Sequence, residues 1–360
     1  MKIKLSKIER FFMVVYIFTL FLGIWHAFPN TDVVGDESPY VWDVLTSLES
    51  KTLIPLMDYS YSLSFYANYA LMTIVRLLFF GGNIASLSSY LNSTPWIFYL
   101  LPRFVSVIAT ALLLYFFLRL AKHCKVSFAQ RLGAASLIFT NIIFAVIAHT
   151  GKMWLLSLLL FFLSFYFLTE AFYREKELTK IIWYRNPIFY SIIFAFLSLA
   201  NFPFNIIALL NIVYIYYFFY RPSPSLRSLI IYSTITSLFL FLITFLLNYH
   251  GWVTQNSANG PGSLDALPAF IWSYLIIGSL IVMPWLLLSL FNVRKILEKK
   301  PFWIVTSYLV SYILLLALRA TWVGAGPAIY WRYLIYPVFF VGLMLLFVEI
   351  RSRYLLYFCR

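Results

Sequence analysis

Apolar runs of about the length a helix needs to cross a bilayer recur along the chain, each closed by a short polar or basic segment. They fall at 11–28, 97–118, 132–148, 154–172, 187–200, 204–220, 228–249, 270–291, 302–318 and 333–350, which predicts about ten transmembrane helices. A further run, 62–80, is long enough to cross but carries Ser62, Tyr66, Tyr69, Thr73 and Arg76, spaced four, three, four and three. That spacing is one helix face, and it predicts an amphipathic helix lying in the outer interface rather than a span. Another surface helix is expected to begin near Asp36. Its Pro39 is tolerable only in a first turn, so the carboxylates beside it sit at a helix start, where the dipole favours anions. Both helices belong to one long loop, 29–96, whose last part, GGNIASLSSYLNSTP, reads as a lid or connector.

Charge decides which way this array faces. The chain is 62% hydrophobic and only 11% charged, yet its net charge is +14. One basic face would point to nucleic acid; here the cations fall in short clusters between apolar runs, which is the signature of loops facing the cytoplasm. With a cytoplasmic N-terminus, 21 of the 27 basic residues lie inside. If 62–80 crossed, the 17 basic residues after position 118 would move outside, so ten spans with both termini cytoplasmic is the better topology. Residues 1–360 then form a single transmembrane domain of a multi-pass protein, read as prokaryotic plasma membrane, with 29–96 and 251–269 as its main outer loops. The first run follows Lys2, Lys4, Lys7 and Arg10 like a signal peptide, but Trp25–Pro29 offers no small-residue cleavage site, so a retained span is expected. Cys124 and Cys359 both map to the cytoplasmic side, which argues against a disulfide framework or a thiol-ligated metal.

Candidate chemistry gathers on the other side. The stretch 31–60 holds Asp32, Asp36, Glu37, Asp43, Glu49 and Asp58, six of the thirteen acidic residues. Asp36, Tyr40 and Asp43 are spaced to share one helix face, with Glu37 about a quarter turn away. Alone, this is a solvated acidic helix start. It gains weight from its company: His26, His149 and His250 map to the outer ends of the first, third and seventh spans, Lys152 and Arg332 cap spans there, and Arg319 is close. Span-end histidines ordinarily fill the interface; with the carboxylates they are also candidates for a divalent metal ion. A lone span-end arginine ordinarily snorkels to the headgroups, but several cations facing a carboxylate helix form a pocket for an anionic lipid. A sugar on a lipid phosphate suits such a pocket, because the leaving phosphate needs fixed cations and the attacking hydroxyl needs a carboxylate to take its proton.

Asp36-Glu37-Ser38-Pro39-Tyr40, placed after the first span and followed by Leu48, Pro55 and Asp58-Tyr59, resembles the first outer loop of the GT-C glycosyltransferases. The pattern is similar to protein O-mannosyltransferases and to bacterial aminoarabinose transferases of lipid A, the glycosyltransferase 39 and 83 type. His149-Thr-Gly-Lys152-Met-Trp154 stands at the outer end of the third span, and Arg332-Tyr333-Leu334 resembles the Arg-Tyr-Leu run that opens a late span. The likeness covers the layout of roughly 10–200 and the motif of the final span. It implies an all-α GT-C-like bundle with two juxtamembrane helices in the first outer loop, and an inverting transfer from a polyprenyl-phosphate sugar to a lipid, glycan or protein acceptor. On it, Asp36 is the catalytic base with Glu37 beside it, and Tyr40, Asp43, Asp58 and Tyr59 are supporting residues. Lys152 and Arg332, with His149 and Arg319, are the donor-phosphate candidates. Two positions depart from the pattern: Met153-Trp154 stands where a second aspartate is common, and Asp58-Tyr59-Ser60 where a proline pair is. The alternatives are a lipid-linked oligosaccharide flippase or transporter, and a polysaccharide polymerase or ligase. Against the first, the spans hold hardly any charge at their centres and no repeated halves; against the second, the late outer loop 251–269 contains no Lys or Arg.

Overall fold

The computed structural model describes residues 5–25, 37–55, 62–175, 178, 181–220, 224–247, 300–323 and 335–347. All regular structure among them is helical. In chain order the α-helices are α1 (Lys7–Gly23), α2 (Ser38–Glu49), α3 (Ser62–Phe79), α4 (Ile84–Ser93), α5 (Pro95–His123), α6 (Phe128–Phe139), α7 (Ile142–Ala148), α8 (Trp154–Tyr173) and α9 (Pro187–Asn201), followed by α10 (Leu210–Ile215), α11 (Pro224–Leu247), α12 (Lys300–Val323) and α13 (Ile335–Leu345). Among the described residues four helices, α5, α8, α11 and α12, are long and apolar enough to cross a membrane. A fifth is gained if α3 and α4, which meet at a bend of 102°, count as one broken span. The chain is a helical membrane protein.

Helices stand on nine of the ten apolar runs; the run 270–291 lies outside the described residues. Three of them depart from a plain span, each for a local reason. The run 132–148 is cut at Thr140-Asn141, where Asn141 Oδ1 takes the Ile143 N–H at 2.9 Å and starts α7 afresh. Asn186 caps α9 in the same way, and Pro203 keeps the residue before it extended, so α9 closes after 15 residues. The run 204–220 is a 3₁₀ segment (Pro203–Leu209), then α10, then a π-helical turn (Tyr216–Tyr220).

The chain divides into two compact units. One comprises Phe11–Leu113 and Val146–Ala258. In it α2 is buried nearly all round: Val41, Val44, Leu45 and Leu48 form a core with Phe65 and Met72 of α3, Leu87 and Leu91 of α4, and Phe98 and Tyr99 of α5. A helix wrapped on every side is a packed element, not a solvated one. Alongside, α3, α8, α9 and α10 are joined by buried polar ties. Asn201 Oδ1 accepts from the Ser64 N–H at 2.9 Å while its amide donates to Ser157 Oγ at 2.8 Å. Ser164 and Ser191 exchange hydroxyl-to-carbonyl bonds across α8 and α9, both at 2.9 Å, and Asn211 donates to Ser164 Oγ. Away from water such bonds keep the helices in register more firmly than apolar contact alone.

The other unit comprises Met1–Arg10, Leu114–Ala145 and Asn259–Arg360. Phe117, Phe139 and Phe144 meet Phe339 of α13 with ring centroids 6.2–6.4 Å apart. A Cβ at Gly342 would overlap the Ile138 side chain, so the glycine is what lets α13 come this close to α6. At the start of α1, Ser6 and Glu9 cap each other's backbone N–H groups, and Arg131 Nε donates to Glu9 Oε1 at 2.8 Å.

Candidate functional site

The acidic helix start and the turn after α7 meet in the unit formed by Phe11–Leu113 and Val146–Ala258. Pro39 lies in the first turn of α2, where its missing N–H costs no hydrogen bond, and Glu37 is the residue that precedes the helix. A carboxylate there commonly caps its own helix; the Glu37 side chain makes no such bond. It reaches across to two other elements instead. Glu37 Oε2 is 2.8 Å from Arg103 Nη2, and Glu37 Oε1 accepts the Gly151 N–H at 2.7 Å. Both side chains of the ion pair are 0% exposed. Arg103 also donates from Nη1 to the Ile24 carbonyl at 3.2 Å, just beyond α1. One buried pair therefore ties together the end of α1, the start of α2, the N-terminal third of α5 and the turn between α7 and α8.

Local sequence builds each part of this junction. Pro102 sits inside α5, and its ring packs where a side chain on Gly151 would have to stand: a Cβ there would lie 2.7 Å from Pro102 Cγ. Only glycine brings the main-chain N–H under the proline and onto the Glu37 carboxylate. One helical turn along α5, Ser106 Oγ donates to the Lys152 carbonyl at 3.3 Å. The main chain is thus held on both flanks of Lys152, by Glu37 through Gly151 and by Ser106. Lys152 itself is 5% exposed, two residues before α8 begins. A lysine buried to that degree stands largely in a medium where charge interactions are stronger than in water.

His149 lies at the start of the same turn. Its Nε2 is 3.0 Å from the Leu20 carbonyl, which can only accept, so that nitrogen carries the proton and is committed to α1. A Cβ on Gly23 would overlap the His149 ring, so this glycine too is required by close approach. Tyr40 and Asp43, expected on the face shared with Asp36, are both buried, at 6% and 0% exposure. They face protein rather than open solvent. Tyr66, on the polar stripe of α3, donates its hydroxyl to the Leu53 carbonyl at 3.1 Å, while the exposed positions of α3 are apolar: Ile74, Leu77, Leu78 and Phe79.

Asp36, Asp58, Tyr59, His26, His250 and Arg332 lie outside the described residues. Arg319 falls on α12, but its own side chain lies outside what is described. Among the described residues, no three His, Cys, Asp or Glu side chains gather closely enough to hold a metal ion. Reasoning from sequence missed Arg103, Gly151 and Ser106. For Arg103 a signal was present: an arginine within the run PWIFYLLPRFVSVIATALLLYFF needs a buried partner, and an acidic residue is the natural one. Comparison of the chain with protein-family models, with curated proteins and with solved structures gives no match.

Proposed function

We propose that the chain is a GT-C-like membrane glycosyltransferase that moves a sugar from a polyprenyl-phosphate donor to a lipid, glycan or protein acceptor at the outer face of a prokaryotic plasma membrane. Asp36 is the general base, attack is from the face opposite the phosphate, and the anomeric centre inverts. In this reading the chain has ten spans with both termini cytoplasmic, and α2 and α3 are the juxtamembrane helices of the first outer loop. A divalent metal ion is a further cofactor candidate.

The observation that carries the proposal is the 2.7 Å hydrogen bond between Glu37 and Gly151, residues 114 positions apart. Glu37 is the chain neighbour of Asp36, and Gly151 that of Lys152. The bond therefore joins the segment bearing the base to the segment bearing a phosphate-binding cation. That juxtaposition is what sugar transfer from a lipid phosphate needs: a proton acceptor for the incoming hydroxyl and a positive charge for the departing oxygen. A flippase or transporter draws on one observation, the 102° bend between α3 and α4, since broken helices recur in transporters.

Membranes containing the protein, incubated with a panel of radiolabelled polyprenyl-phosphate sugars, separate the two. Transfer of label to an acceptor, lost by about 10²–10⁴-fold in Asp36→Asn at unchanged membrane insertion, is the expected result. A fully active Asp36→Asn variant removes the base assignment. Label that crosses the membrane while still on its lipid identifies a flippase.

A further inference from the structure

We propose that Glu37 and Ser106 are positioning residues for Lys152, and that their task is to fix where its ammonium meets the phosphate of a polyprenyl-phosphate lipid. The inference rests on the glycosyltransferase reading for the identity of the ligand, but its geometry stands on described residues alone.

Four features converge. Lys152 is buried at 5% exposure, so its stem cannot roam as a surface lysine does. The main chain on either side of it is anchored to different elements: one residue before, the Gly151 N–H to the Glu37 carboxylate at 2.7 Å, and its own carbonyl to the Ser106 hydroxyl at 3.3 Å. The carboxylate that holds Gly151 is itself fixed, because its other oxygen is 2.8 Å from Arg103 Nη2. Arg103 and Ser106 stand three residues apart on α5, one helical turn, so a single helix face holds both ends of the clamp. A flexible lysine binds phosphate as a mobile point charge; one whose main chain is pinned on both sides loses less entropy when the phosphate arrives.

This gives Glu37 a specific duty. Its charge balances Arg103, but the atom that matters for Lys152 is Oε1, the acceptor of the Gly151 N–H. Two double variants separate these roles without leaving a lone buried charge. Glu37→Gln with Arg103→Met removes both charges and keeps an acceptor for Gly151. Glu37→Leu with Arg103→Met removes both charges and the acceptor.

The experiment measures binding of undecaprenyl phosphate to the purified full chain in detergent, with undecaprenol as the uncharged control, and reports Kd and stoichiometry separately. The Gln/Met variant is expected to stay within about threefold of the wild type, and the Leu/Met variant to bind about tenfold more weakly or worse, at equal stoichiometry. Ser106→Ala is expected to weaken binding about threefold and Ser106→Thr to restore it. A purely structural role lowers the bound fraction and leaves Kd alone; that result overturns the proposal, as does an equal effect in the two double variants. Lys152→Ala tests the underlying reading. If the wild type prefers the phosphate over undecaprenol and Lys152→Ala abolishes the preference while both double variants and Ser106→Ala match the wild type, only the positioning role fails. If the wild type shows no preference, or Lys152→Ala keeps it, the phosphate reading fails with it.

Discussion

At the scale of single residues, the Glu37–Arg103 pair sets the terms. Burying two opposite charges roughly breaks even when both are well bonded, but removing one partner strands the other, which costs about 3–5 kcal/mol. Arg103→Met should therefore destabilise the protein by about that much, and adding Glu37→Gln should recover most of it, because the amide still accepts from Gly151. Thermal unfolding in detergent at neutral pH, followed by tryptophan fluorescence, checks both. A single variant as stable as the wild type would mean that water reaches the pair. Half of this junction was legible beforehand. Pro39 announces a helix start beside the carboxylates, and the Asp36-Glu37 pair draws attention to itself in an oily chain. That Glu37 turns inward was not legible, because it depends on Arg103 of α5, 66 positions further along the chain.

At the scale of elements, hydrophobic periodicity located the helices well and their interruptions poorly. Asn141 and Asn186 begin α7 and α9 by capping, an effect of one side chain that a count of apolar residues over a whole run averages away. The start of α1 repeats the lesson: Ser6-x-x-Glu9 spells a capping box, and the structure adds Arg131, 2.8 Å from the Glu9 carboxylate. Burial pushes the Glu9 carboxyl up, but the bonds from Ser6 and the Arg131 charge outweigh it, and the group is held below its ordinary value of 4.5. A lowered folded value means that unfolding takes up a proton. The stabilisation from Glu9 is then complete above the ordinary carboxylate range and fades as pH falls through and below it. Glu9→Gln should lower the melting temperature at pH 7 and narrow its gap to the wild type as pH drops from about 5 towards 3. A gap that stays constant over that range would show that the Glu9 charge takes no part.

At the scale of the whole molecule, the outward faces say what surrounds it. Ile231, Ile235, Leu238, Leu242 and Leu246 of α11 and Val310, Leu314 and Leu318 of α12 are exposed, a pattern suited to lipid and unsuited to water. The basic residues predict a sidedness, and Cys124, in the turn between α5 and α6, can test it. In a Cys359→Ser background, a membrane-impermeant maleimide should label Cys124 in inverted vesicles and leave it untouched in intact cells. Labelling from outside would mean that 62–80 crosses and every later loop is reversed. Counting charges sums many weak preferences along the sequence; a junction of four residues from four segments offers no such sum, since nothing local links position 37 to position 151.

That distance along the chain has a consequence for biosynthesis. A nascent chain emerges from the ribosome N-terminus first, so Glu37 and Arg103 are delivered to the insertion machinery well before Gly151 exists. Until the third hydrophobic stretch has been translated, the carboxylate has its guanidinium but no amide to complete its shell, and the early hairpins stay unlocked. A stalled intermediate ending near residue 140 should accordingly be an avid client of membrane chaperones, and one extended far enough for Gly151 to clear the ribosome should be released.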